Sequence, residues 1–192
     1  MGFTRAQLEA FHGAEIDDLI GSHCALLFVG INPGLWTAAV GAHFARPGNR
    51  FYPALFRAGI IERPIDPSAG MSAADSKLLT GRGIGITNLV ARATARADEL
   101  DADELRAGAA TLTRTVERVR PAVVAFAGIT AYRTAFGERG ARPGAQQRTL
   151  AGVPVWVVPN PSGLNAHETV DSLAVAYRAA AVAAGIAVID RT

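Results

Sequence analysis

The sequence predicts a three-layer α/β/α sandwich with a mainly parallel central sheet, on three observations. Four short, continuous apolar runs recur along the chain: Ala25–Gly30, Gly83–Thr87, Ala122–Ala127 and Val153–Val158. Each reads as a strand buried on both faces, as strands of parallel sheets are. Helical patterns lie between the runs, so strand and helix alternate. Hydrophobic residues make up 49% of the chain and charged residues 19%, which supplies a core and excludes a disordered polymer.

The elements follow in order. Thr4–Ile20 carries Leu8, Phe11, Ile16 and Leu19 at helical spacing, interrupted by Gly13. The first strand, ALLFVG, comes next. Asn49–Ala58 and Ser72–Leu79 are short helix candidates before the second strand. Asp101–Arg120 is the clearest helix. Leu105, Ala109, Leu112, Val116 and Val119 recur on one face, Asp101 and Glu104 form a capping-box start, and Pro121 stops it. The third strand and a helix over Ile129–Phe136 follow. Arg139–Thr149 reads as a polar, mobile loop. Pro154 is tolerable near the start of the fourth strand, and His167–Ala184 forms the last helix.

With 192 residues, no internal repeat, no low-complexity tract and no linker, residues 1–192 are expected to form a single domain. The net charge is +2, and eighteen of the nineteen basic residues are Arg, Lys77 being the exception. Such charge permits an acidic partner without demanding one. Cys24 is alone, which excludes a disulfide framework and a cysteine zinc site. His12, His23, His43 and His167 form no paired metal-ligand spacing, so no metal is expected. No leader-like segment or membrane-length apolar run is present, and a cytoplasmic location is expected.

In open parallel sheets, ligands bind beyond the carboxyl ends of the strands. There the chain places Gly30-Ile31-Asn32-Pro33-Gly34-Leu35 after the first strand and Asn160-Pro161-Ser162-Gly163-Leu164-Asn165 after the last. Alone, each Asn-Pro step is an ordinary turn. Paired at two strand ends of one sheet, they point to a site. No GxGxxG, GxxxxGK[ST] or GxSxG pattern occurs, which excludes dinucleotide, P-loop and nucleophile-elbow readings. The long connection Gly41–Tyr52 interleaves Phe44, Phe51 and Tyr52 with Arg46 and Arg50, the mixture that stacked bases and phosphates require. Phe51 and Tyr52 are read as core, whereas Phe44 is open to a stacking role.

Those residues resemble the mismatch-specific uracil-DNA glycosylase family, which includes the eukaryotic thymine-DNA glycosylase and lies within the uracil-DNA glycosylase superfamily. GINPGL at Gly30–Leu35, PGNRFY at Pro47–Tyr52, GITNLVARAT at Gly85–Thr94 and NPSGLN at Asn160–Asn165 carry the resemblance, which spans roughly Leu26 to Arg178. It implies a uracil-DNA glycosylase-like sandwich and hydrolysis of the N-glycosidic bond of uracil opposite guanine in double-stranded DNA. Ethenocytosine is a related lesion it extends to. Base flipping and base-excision repair are implied with it, and no cofactor or metal.

By resemblance, Asn32 is the catalytic residue that holds the attacking water. Ile31, Phe44, Asn88 and Asn160 form the base pocket, with backbone N–H groups near Ile31 and Phe44 stabilising the departing base. Gly163, Leu164, Asn165, Ala166 and His167 form the wedge that enters the duplex. The helix following the wedge would offer its N-terminal amides to a phosphate, opposed by Glu168. Two positions depart from the family. Ala166 stands where bacterial members carry Arg, and Trp36 is a bulky residue beside the pocket motif. They motivate the alternative of a DNA-binding protein with weak or absent uracil excision. A small-molecule nucleoside hydrolase is a further alternative, and nothing predicts an oligomer seam, so a monomer is expected.

Overall fold

The computed structural model describes residues 2–191. Its sheet contains β1 (Leu26–Gly30), β2 (Ile84–Asn88), β3 (Val123–Ala127), β4 (Gly144–Leu150) and β5 (Val153–Val158), in the spatial order β2-β1-β3-β5-β4. β1, β2, β3 and β5 are parallel, and β4 runs antiparallel to β5. The four apolar runs of the sequence are the four parallel strands; β1, β2 and β3 are buried on both faces, whereas β5 opens on an exposed Pro154 and keeps Trp156 half-buried.

The period-two alternation of β1 divides the core into two layers. Leu26 and Phe28 face a cluster with Phe51, Leu55, Leu173 and Tyr177, supplied by α3 (Phe51–Arg57) and α7 (Val170–Ala183). Leu27 and Val29 face the opposite cluster with Leu112, Val116, Ala131 and Tyr132, supplied by α5 (Ala102–Val119) and α6 (Ile129–Phe136). The remaining helices are α1 (Arg5–Glu9), α2 (Leu35–Val40) and α4 (Ala73–Gly81). α5 begins as its sequence requires. The Asp101 carboxylate accepts from the amides of Asp103 and Glu104, and Glu104 accepts from the Asp101 amide at 3.1 Å.

Three expectations are corrected. The helical pattern over Thr4–Ile20 yields only the single turn and a half of α1. Beyond Gly13, at φ +80, the chain is extended, and Leu19 bridges Ile86 on the outer edge of β2. Gly144–Leu150 is a strand rather than a mobile loop. It lies at the sheet edge with most of its side chains in solvent, so it needs no apolar pattern. The last helix starts at Val170, not near His167. Its Thr169 cap already takes the Ser172 amide at 3.1 Å, and Glu168 and Asp171 flank it, so this end is not an anion seat.

Candidate functional site

Because β1, β2, β3 and β5 are parallel, their carboxyl ends share one edge of the sheet. From β1 the chain winds outward to β2 on one side and to β3 on the other, and the crevice at this reversal is where ligands enter such sheets. A crevice of about 630 Å³ opens there, and Ile31, Asn32, Phe44, Asn88, Asn160 and Leu164 all line it. Their sequence separations are bridged by the strand register, in which Gly30 at the end of β1 pairs with Asn88 at the end of β2.

The Asn32 carboxamide has a determined orientation. Its Nδ2 donates to the Arg92 carbonyl at 3.0 Å and to Thr94 Oγ1 at 2.8 Å. Thr94 spends its own hydroxyl proton on the Arg96 carbonyl at 2.7 Å, so towards Asn32 it can only accept. The Asn32 oxygen therefore has the remaining direction, and it has no protein partner among the described residues.

A second amide is oriented by His43, which the sequence reading passed over. His43 is buried, and burial holds its imidazole pKa below the ordinary 6.5. Its Nε2 lies 3.1 Å from the Asp17 carbonyl, an acceptor, so that nitrogen carries the proton. Nδ1 then accepts from Asn88 Nδ2 at 3.3 Å. Asn88 is left with Oδ1 over the crevice floor, close enough that a methyl group on Gly30 would meet it at 2.6 Å. Asn160 is set the opposite way. Its Oδ1 accepts the Ser162 amide at 3.0 Å, and Nδ2 remains as a donor.

Phe44 supplies the planar surface. Its ring stacks on the buried Phe51 at 4.2 Å and 22°, and it is half-buried at the crevice wall. Its backbone sits at φ +54, a left-handed conformation that costs a bulky side chain energy and that folds retain mainly at sites. Phe51 and Tyr52 are buried, as read from the sequence, and Tyr52 donates its hydroxyl to the His43 carbonyl at 3.0 Å.

Leu164 stands at the crevice rim with 75% of its surface exposed, the most exposed large apolar residue among those described. Gly163, Ala166 and His167 are exposed beside it and lie outside the crevice wall. Asn165 turns its carboxamide inward, donating to the Asn160 carbonyl at 3.2 Å and accepting from the His167 amide at 3.3 Å. The structure also decides how Trp36 and Arg50 are directed. Trp36 points away from the crevice, with Nε1 on the Ser68 carbonyl at 3.0 Å and its ring against Phe3 at 4.9 Å. Arg50, grouped in the sequence with phosphate-binding residues, is turned into the protein. Arg46 is exposed at the crevice mouth and has no partner among the described residues.

Among the described residues, no three His, Cys, Asp or Glu side chains gather where they could hold a metal ion. No helix there is long and apolar enough to cross a membrane.

Fold and crevice define an α/β protein whose parallel strands end at an opening lined by one aromatic ring and three oriented carboxamides. The chain belongs to the uracil DNA glycosylase superfamily, whose family model matches residues 18–182. Members of that superfamily are DNA glycosylases, which are hydrolases. The fold is also similar to the solution NMR structure of a Methanosarcina acetivorans protein provisionally assigned as a uracil DNA glycosylase. The TM-score is 0.59 at 16% identity, over 90% of this chain and 96% of that one, a likeness of fold.

Proposed function

We propose that the protein is a monofunctional DNA glycosylase that removes uracil opposite guanine from double-stranded DNA, in the manner of the mismatch-specific family. The observation that carries the reading is the Asn32 carboxamide, anchored by nitrogen and free by oxygen, in a crevice with an aromatic wall. In this reading Asn32 Oδ1 accepts a hydrogen bond from water and aims its oxygen at C1′ of the flipped nucleotide. The C1′–N1 bond breaks, its electron pair leaves with the base, and the water oxygen bonds to C1′ while its proton passes to solvent. An amide is too weak a base to take that proton, so the reaction depends on stabilising the leaving base.

The base pocket supports uracil specifically. Phe44 offers its face for stacking, Asn88 Oδ1 accepts an imide N–H, and Asn160 Nδ2 donates to a ring carbonyl. Ethenocytosine has no N3–H for the Asn88 oxygen, so uracil is the preferred base. Leu164 is taken as the wedge that fills the vacated stack, with Gly163, Asn165, Ala166 and His167 around it. A mispaired uracil costs less to extrude than a paired one, which favours the guanine mismatch. The outward packing of Trp36 removes one of the two motives for a binding-only protein. The reading takes residues 1–192 as one domain acting as a monomer in the cytoplasm.

Single-turnover base release from duplexes containing G·U, A·U and G·ethenocytosine tests it, with Asn32→Ala alongside. The expected result is fastest release from G·U, lost in the variant while duplex binding persists. Binding without release from any duplex would overturn the reading in favour of a non-catalytic DNA-binding protein.

A further inference from the structure

We propose that Arg50 is a positioning residue for the wedge loop, holding residues 160–169 in the shape that presents Leu164. The inference rests on the glycosylase reading above and deepens it.

Arg50 immediately precedes α3, and its guanidinium crosses to the loop after β5. Nη2 donates to the Ser162 carbonyl at 2.5 Å and to the Asn165 carbonyl at 2.7 Å, and Nη1 donates to the Glu168 carbonyl. The Arg50 backbone amide adds a bond to the Pro161 carbonyl at 3.0 Å. Four carbonyls of one eight-residue stretch thus converge on a single residue more than a hundred positions away in sequence. Among the described residues no carboxylate pairs with the guanidinium, and its Nε is buried without a partner. The charge is committed to the loop.

The consequence for the loop is geometric. Ser162 O also accepts the Asn165 amide at 2.9 Å, closing a four-residue turn with Gly163 and Leu164 at its centre. That turn places Leu164 at the apex. The peptide bonds of this loop are trans, so before a non-proline residue the N–H lies opposite the carbonyl. With the carbonyls of Ser162 and Asn165 drawn in towards Arg50, the amides of Gly163 and Ala166 face away from it, as donors on the loop's outer side. A second seam joins the same two segments, because a methyl group on Gly163 would meet the Gly48 carbonyl at 2.7 Å.

A loop that enters a base stack must hold its shape there, and a mobile loop would meet the ordering cost at every insertion. Arg50 meets it once, on folding. The planar fork is what makes this possible: it reaches several acceptors at fixed angles, and a lysine ammonium on a flexible stem does not reproduce that reach.

Two measurements test the proposal, using Arg50→Met and Arg50→Lys in the full chain. Amide hydrogen exchange of the free protein should rise over residues 161–169 in Arg50→Met, with β1 and β3 as protected as before. Dissociation constants are then measured for a duplex with guanine opposite uncleavable 2′-fluoroarabino-uridine. Arg50→Met should weaken binding by about tenfold in the Leu164 background and by less than about twofold in the Leu164→Ala background. Arg50→Lys should recover only part of the loss. Equal losses in both backgrounds, full rescue by lysine, or unchanged loop exchange would each overturn the proposal. If the unaltered protein neither binds this duplex nor releases uracil, the glycosylase reading falls first. Loop exchange would then show Arg50 as a staple of the fold without a wedge to serve.

Discussion

Asn32 and Thr94, 62 positions apart, share a 2.8 Å hydrogen bond that decides which end of the Asn32 amide faces the crevice. Thr94 is buried, and its hydroxyl is directed to Arg96, so it acts on Asn32 as an acceptor only. Thr94→Val deletes that acceptor and leaves Asn32 anchored by the Arg92 carbonyl alone. Base release from a G·U duplex is expected to fall by roughly 10- to 100-fold, the scale set by misplacing a reacting group. Thr94→Ser should restore most of it, and duplex affinity should not move in either variant. A fall in affinity parallel to the fall in rate would contradict this account.

His43 gives the fold a pH dependence of known sign. Burial lowers its folded-state pKa below 6.5, so above that pH both folded and unfolded forms are neutral and the contribution is fully present. As pH falls through 6.5, the unfolded chain binds a proton that the folded protein refuses, and stability declines until the folded imidazole ionises too. Urea unfolding at about pH 7.5 and about pH 5 should show a smaller loss for His43→Gln than for the unaltered protein. Identical losses would mean that His43 ionises freely in the fold.

Arg46 is the free guanidinium at the crevice mouth, while Arg92 and Arg96 nearby are engaged by Glu104 and Asp98. If the protein acts on duplex DNA as proposed, one phosphate contact is expected to fall to it. Arg46→Ala should reduce the slope of log affinity against log salt by about one and weaken all duplex sequences alike. A sequence-dependent effect would place Arg46 against a base instead.

Gly30 keeps the crevice floor open. A methyl group there would lie 2.6 Å from Asn88 Oδ1 and 3.3 Å from the Phe44 ring. Gly30→Ala is expected to cost roughly 10- to 200-fold in base release, as one extra carbon does in a fitted pocket, without unfolding the sheet. Unchanged release would show that the base does not enter as deep as Gly30.

The four parallel strands were legible because burial on both faces leaves an unbroken apolar run. β4 was not, because an edge strand is held by backbone bonds to β5 and can carry Gln146, Gln147 and Arg148 in solvent. The same division runs through the site. Asn32 and Asn160 stand in short motifs at strand ends and Phe44 in the long connection between the first two strands, and only the fold brings them together. Thr94, His43 and Arg50 work largely through backbone carbonyls, which every residue possesses, so their partners leave no trace in sequence. Trp36 shows the converse: its bulk was visible, but its direction depended on the Ser68 carbonyl and Phe3.

The chain ahead of β1 helps to hold the crevice in shape, and the bridge between Leu19 and Ile86 is only part of that. The family match starts at residue 18, yet the pieces that steady the crevice start sooner. The Gly13 amide donates to the Ala93 carbonyl, and the Ala93 amide to the Ala14 carbonyl, next to Thr94. Asp17 fixes the His43 tautomer. A chain trimmed to the boundary of the match would keep every motif residue and lose these supports. It would loosen the carboxamides of Asn32 and Asn88, while the bridge from Leu19 to Ile86, which lies inside the match, would still cover the rim of β2. Such a shortened protein would look complete by its signature residues while holding them loosely.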